Sequence, residues 1–125
     1  MKEKCYFYRA MILKVSDGDT ITADVDVGFG IKTSKTKVRL DGIDTAEIHS
    51  HDPVLKEKAT HAKSWLKETI EGKEVYLESR GFDKYGRSLA KIYTLDGLCC
   101  NEELVKMGLA IAYDGGTKHQ ELLKG

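Results

Sequence analysis

Apolar and polar residues change period several times along the chain, and each change marks an element. Residues 6–15 (YFYRAMILKV) are dense in aromatic and aliphatic side chains and predict a strand. Asp17-Gly18 follows as a turn signal. Over residues 20–27 (TITADVDV) the alternation is clean, with Ile21, Ala23, Val25 and Val27 on one face, as in a half-buried strand of an antiparallel sheet. Gly28-Phe29-Gly30 interrupts, and residues 31–40 resume strand character through a polar TSKTK segment, so three strands form a meander. Over residues 54–70 the period becomes helical: Leu55, Ala59, Ala62, Leu66 and Thr69/Ile70 make one stripe, with Trp65 at its edge. Asp52 and Pro53 supply an N-cap and a first helical residue, and Gly72 closes the helix. Residues 73–79 (KEVYLES) and 88–94 (SLAKIYT) return to strand. Asn101 is placed to cap a second helix ending at Gly108, and a short third helix is expected from Thr117 onward.

This order of elements predicts an α+β fold that is mainly β: a five-stranded OB-fold Greek-key barrel of short antiparallel strands, with two to three helices. Tyr6, Phe7, Tyr8 and Phe29 are expected in barrel packing, Trp65 in the core and His61 on the helix surface. A length of 125 residues suits one domain over residues 1–125, and a hydrophobic fraction of 41% suffices for a modest core.

Charge and cysteine usage narrow the setting. The 20 basic and 20 acidic residues cancel, so there is no bulk attraction for nucleic acid, and any polyanion contact must come from local placement of Arg and Lys. No run approaches the roughly 20 apolar residues that span a bilayer, so no membrane association is expected. A monomer is expected. The N-terminal MKEKCY lacks the apolar core and cleavage site of a signal peptide. Cys5, Cys99 and Cys100 are an odd count with an adjacent pair, unlike a disulfide framework. The expectation is a reduced, cytoplasmic setting, or a secreted one if a signal had been removed.

Four short segments carry candidate chemistry, and each has a plain structural reading beside the chemical one. Ser16-Asp17-Gly18-Asp19-Thr20 is a hairpin turn or the source of a metal ligand. Val38 to Glu47 (VRLDGIDTAE) starts as a strand and ends as an acidic loop; Asp44 and Glu47 are a ligand and a general base, or a solvated loop paired to Arg39. Asp83 to Arg87 (DKYGR) is an ordinary loop, or one that presents Arg87 to a phosphate. Tyr113 begins a YDGG tail and offers a ring for stacking on a base. His49, His51 and the Cys99-Cys100 pair have no zinc-site spacing.

Taken together, the segments supply what phosphodiester hydrolysis needs. A divalent cation held by Asp19, Asp44 and a nearby carbonyl polarises the phosphoryl oxygen. Glu47 takes a proton from water. Arg39 and Arg87 stabilise the charge that builds on the phosphoryl oxygens, a task suited to a planar guanidinium that stays protonated. All-oxygen ligation favours a hard cation, calcium or magnesium.

DGDT at 17–20, VRLDGIDTAE at 38–47, DKYGRSLA at 83–90 and NEELVKMGLA at 101–110 resemble, in their order, the staphylococcal nuclease (thermonuclease) family, over roughly residues 9 to 123. The resemblance implies an OB-fold barrel with three helices. It also implies a calcium-dependent endo/exonuclease acting on DNA and RNA that leaves 3′-phosphate and 5′-hydroxyl ends; a preference for single strands is expected. By motif, Asp19 and Asp44 match the carboxylate calcium ligands and Thr45 the residue lending its backbone carbonyl. Glu47 matches the general base, Arg39 and Arg87 the catalytic arginines, and Lys84, Tyr85 and Tyr113 the nucleotide contacts. The chain departs from the pattern at Ala46, where the family usually has proline, so a less restrained loop is expected before Glu47. The GFG insert and YDGG tail look similar to phage-type members. A non-catalytic OB-fold module binding single-stranded nucleic acid or a protein partner is the alternative.

Overall fold

The computed structural model describes residues 6–47 and 49–113. The elements are β1 (Tyr6–Asp17), β2 (Thr20–Gly28), β3 (Ile31–Leu40), β4 (Ile43–Thr45), α1 (Pro53–Ile70), β5 (Glu74–Phe82), β6 (Ser88–Thr94), α2 (Cys100–Lys106) and β7 (Ala110–Ala112). β1, β2, β3, β6 and β5 close into a barrel in that spatial order, and β4 and β7 form a separate two-stranded sheet. The mainly-β, OB-like barrel is therefore as the alternation predicts. The core follows it too, with Ala10, Ile12 and Val15 of β1, Ile21, Ala23 and Val25 of β2, and Val38 and Leu40 of β3 all buried. Val27 continues the same face past the core and is exposed.

Closure differs from expectation in one respect. β3 pairs with β6 in parallel, Val38 to Ser88, Arg39 to Leu89 and Leu40 to Ala90, while every other barrel pairing is antiparallel. The chain leaves β3, passes through α1 and β5, and returns in β6 running the same way as β3. A parallel neighbour requires such a long connection, which strand alternation alone does not reveal.

α1 is built as its sequence signals. The Asp52 carboxylate accepts from the backbone N–H groups of Val54 at 2.9 Å and Leu55 at 3.4 Å, and Pro53 opens the first turn. Ala59, Ala62, Leu66 and Ile70 form the buried stripe, and Trp65 packs at its edge. The end of α1 is stitched to β1: Gly72 N–H donates to the Ile12 carbonyl at 2.8 Å, and the Glu71 carboxylate accepts from Val15 N–H at 2.9 Å. β1 changes register between Ile12 and Lys14 and again between Val15 and Asp17, so the Glu71 bond satisfies a donor beside an irregularity.

Several residues lie elsewhere than expected. Tyr6, Phe7 and Phe29 are exposed, and of that aromatic group only Tyr8 packs against the core. Tyr6 and Phe7 lie at the start of β1 and Phe29 at the tip of the β2–β3 hairpin, beyond the buried rows. α2 starts two residues earlier than predicted, with Cys99 as N-cap and no side-chain cap bond. Asn101 sits inside the helix, fully buried. Its amide accepts from Ile92 N–H at 3.0 Å and donates to the Asp41 and Ala90 carbonyls at 2.8 and 3.1 Å. It is a cross-brace between α2, β6 and the turn after β3, not a cap. β4 and β7 are three residues each, too short to register as alternation. The predicted third helix from Thr117 lies outside the described residues. No helix among the described residues is long and apolar enough to cross a membrane.

Because Asn101 satisfies three buried backbone groups, Asn101→Ala should lower the unfolding free energy by about 2–3 kcal/mol. Urea denaturation of the parent and variant measures this directly.

Candidate active site

The acidic turn, the end of β3 and β4 meet at one end of the barrel. Asp19 closes the β1–β2 turn, and its carbonyl accepts from Leu40 N–H at 2.9 Å, which ties the turn to β3. Gly18 allows the close approach. A Cβ built on it would lie 2.8 Å from Ala62 Cβ of α1 and 3.2 Å from two side-chain atoms of Thr45. Only a residue without a side chain lets the helix and β4 settle on this turn. Ala46 continues the docking. It is fully buried with Ala59, against Leu55 and Ile111. The segment leading to Glu47 is thus anchored by burial, which corrects the expectation of a less restrained loop there.

Arg39 is the centre of the cluster. Its Nη1 donates to the carbonyls of Leu40 at 3.1 Å and Ile43 at 3.0 Å. Its Nη2 lies 3.3 Å from a carboxylate oxygen of Asp19 and 3.3 Å from one of Asp44. The three residues are 8% (Arg39), 9% (Asp19) and 1% (Asp44) exposed, so the ions are paired inside the protein rather than in water. Thr45 N–H donates to Asp19 at 3.3 Å and the Thr20 hydroxyl to Asp19 at 3.1 Å. The Tyr113 ring stacks near Arg39, with Cζ 5.6 Å from its centroid, and Tyr113 N–H donates to the Gly42 carbonyl at 2.9 Å.

Two carboxylates against one guanidinium leave the cluster with surplus negative charge. Asp17 adds to it. Burial holds its carboxyl above the usual range, the bond from Gly18 N–H opposes this, and the nearby charges of Asp19 and Glu47 push further up while Lys63 pulls down. Glu47 itself is exposed. In the sequence Asp17 belongs to a segment that reads as a turn or as the source of a metal ligand, and nothing in the helical pattern marks Lys63 as its counter-charge.

Arg87, Lys84 and Tyr85 belong to a second assembly in the β5–β6 loop. Asp83 organises it, accepting from Tyr85 N–H at 2.8 Å, Arg87 N–H at 2.9 Å and Arg87 Nε at 2.7 Å. These bonds and the Arg87 charge outweigh desolvation and hold the Asp83 carboxyl below its ordinary range. Arg87 Cζ and Lys84 Nζ both lie over the Tyr85 ring, at 5.6 and 5.4 Å from its centroid. The parallel register puts Leu89 beside Arg39, so the loop carrying Arg87, which ends at Ser88 opposite Val38, runs into the strand next to the Arg39 end of β3. Sequence reasoning singled out the arginine and missed the aspartate that aims it; the signal was an Asp at the first position of a tight turn.

His49 and His51 are exposed, and burial pushes the Cys100 thiol up to about 12, so it is not a thiolate near neutral pH. Among the described residues no three His, Cys, Asp or Glu side chains gather as a metal group.

A small barrel carrying a buried acid–guanidinium cluster at one end, with a second arginine on the adjoining loop, defines the class of protein. The model of the staphylococcal nuclease homologue family matches residues 37–124, and the chain belongs to that family. It is 32% identical to a thermonuclease of Staphylococcus intermedius, over 91% of this chain and 66% of that protein. It is 36% identical to an uncharacterized endonuclease of Haemophilus influenzae, over 82% of this chain and 51% of that protein. An uncharacterized protein of Methanocaldococcus jannaschii is 33% identical over 85% of this chain and 59% of its own length. The chain thus spans roughly half to two thirds of the length of these curated relatives.

The Asp17 shift gives a signed expectation. Its folded carboxyl lies above the unfolded value, so the folded state loses stability as pH rises through that interval, and the penalty is complete above it. Asp17→Asn should therefore be more stable than the parent at neutral pH, with the difference shrinking as pH falls through the aspartate range. Thermal melts of both proteins from acid to neutral pH test this.

Proposed function

We propose that this chain is a metal-dependent nuclease that hydrolyses phosphodiester bonds of DNA and RNA, with single strands preferred and 3′-phosphate and 5′-hydroxyl ends as products. The observation that carries the reading is the Arg39 guanidinium held between two buried carboxylates, with an exposed Glu47 three residues after Asp44. The nuclease names borne by the Staphylococcus and Haemophilus relatives support it.

The donor set suits a hard divalent cation. Asp19 and Asp44 present carboxylate oxygens to a single nitrogen, and Asp17 and Glu47 add negative charge nearby. Asp19, Asp44 and the Thr45 carbonyl would hold calcium, or magnesium, with water completing the shell. The bound ion would polarise the phosphoryl oxygen and offset the charge that develops on it.

The protein's own groups do the rest. Glu47, exposed and so able to reach solvent, accepts a proton from the attacking water. Arg39 is pre-oriented by the Leu40 and Ile43 carbonyls, so its charge is in place before the phosphate arrives. Arg87 is fixed through Nε by Asp83, and its terminal nitrogens make no hydrogen bond among the described residues, which suits a fork-like grip on phosphate. Tyr113, Tyr85 and Lys84 flank the two arginines and would contact the sugar, base or flanking phosphate.

Single-stranded DNA should be cut in the presence of calcium and left intact with chelator. Glu47→Gln should lower the rate by about 10²–10⁴, and Arg39→Lys or Arg87→Lys by about 10²–10³, in a gel or fluorescence digestion assay. Cleavage that survives chelation, or Glu47→Gln at the parent rate, overturns this mechanism. Binding without cleavage in calcium, magnesium and manganese would instead indicate a non-catalytic OB module.

A further inference from the structure

The outer face of the barrel beside Arg39 carries a row that the proposed chemistry does not use. Lys14 of β1 pairs with Thr22 of β2, and Thr22 pairs with Lys37 of β3. The neighbours of these residues, Val15, Ile21 and Val38, point into the core, so Lys14, Thr22 and Lys37 all point outward. Both lysines are exposed, and neither joins an ion pair among the described residues. No carboxylate shares the row.

Its position matters as much as its charge. Arg39 pairs with Thr20 and follows Lys37 by two residues on β3, so it lies on the same face about 7 Å further along the strand. The two lysines flank Thr22, one strand to either side, about 10 Å apart at the backbone. The basic strip ends at the next row, where Asp24 pairs with Met11 and its carboxylate accepts from Lys35 N–H. A chain with no net charge thus has two lysines outside any ion pair among the described residues on one outward row, with the acid-paired Arg39 at one end, the Glu71 carboxylate bonded to Val15 N–H beside Lys14, and Asp24 on the far side.

We infer that Lys14, Thr22 and Lys37 form a phosphate-binding subsite for the strand that extends from the scissile phosphodiester. One or two flanking phosphates would lie over Thr22, between the two ammonium groups, with the hydroxyl as a further donor. The subsite positions a single-stranded polynucleotide and takes no part in bond cleavage. The inference rests on the nuclease reading for the direction of the strand, but its binding test does not depend on turnover.

The test uses the full chain carrying Glu47→Gln, so that the ligand survives titration. A fluorescein-labelled oligothymidylate of twelve nucleotides is titrated by anisotropy, with calcium, over a range of salt concentrations. Lys14→Gln with Lys37→Gln should raise Kd severalfold and reduce the slope of log K against log salt by about 1.4, the value for two phosphate contacts on a single strand. Lys56→Gln, on the exposed side of α1, should leave both unchanged. In the parent background the lysine pair should raise KM for the oligonucleotide with kcat retained, and should not affect a dinucleotide. An unchanged salt slope, an equal loss from Lys56→Gln, or no oligonucleotide binding before substitution overturns the subsite. Binding that depends on the lysines in a protein that never cleaves overturns the nuclease reading and leaves the subsite standing.

Discussion

The structure turns on one buried guanidinium. Burying a charge costs several kcal/mol unless it is paired and hydrogen-bonded, and Arg39 meets that demand with two carboxylates and two backbone carbonyls. The four partners come from three parts of the chain: Asp19 from the first turn, Ile43 and Asp44 from the strand after the barrel's third, and Leu40 from Arg39's own strand. Removing the guanidinium would leave two buried carboxylates without their counter-charge, at a cost of about 3–5 kcal/mol. The site is therefore also a clasp that holds the β1–β2 turn, β3 and β4 together.

The rest of the fold brings those pieces within reach. α1 can lie over the turn because Gly18 has no side chain and Ala62 faces it. Ala46 and Ala59 dock the segment leading to Glu47 onto the same helix. Asn101 fixes α2 against β6 and Asp41, and so steadies the turn that leads from β3 into β4. Small residues set the distances, and the ionic cluster fills the space they leave.

Much of this was legible in the sequence, for identifiable reasons. Period-two runs ending at glycines gave the barrel strands, and Asp52-Pro53 with the Ala59–Ile70 stripe gave α1. The residues of the candidate site were legible because acids and arginines were placed at strand ends and turns, where side chains leave the core. What stayed hidden is what three-residue patterns and long-range contacts decide: the parallel β3–β6 closure, β4 and β7, and the roles of Asp83 and Asn101. Asn101 had the residue type of a cap, but its amide found three buried backbone partners and tertiary bonding prevailed. Ala46 looked like a loss of restraint because proline restrains locally, whereas burial restrains it through the tertiary contact. Phe7 and Phe29 were misread because aromatic residues at strand ends and hairpin tips can lie beyond the rows that reach the core.

The central claim is that Asp19 and Asp44 hold a hard divalent cation against Arg39, and calcium binding in the absence of nucleic acid tests it most directly. Titration calorimetry of the full chain should find one calcium per molecule, with affinity lowered tenfold or more by Asp44→Asn. No calcium binding by the parent protein, or binding indifferent to Asp44→Asn, would contradict it.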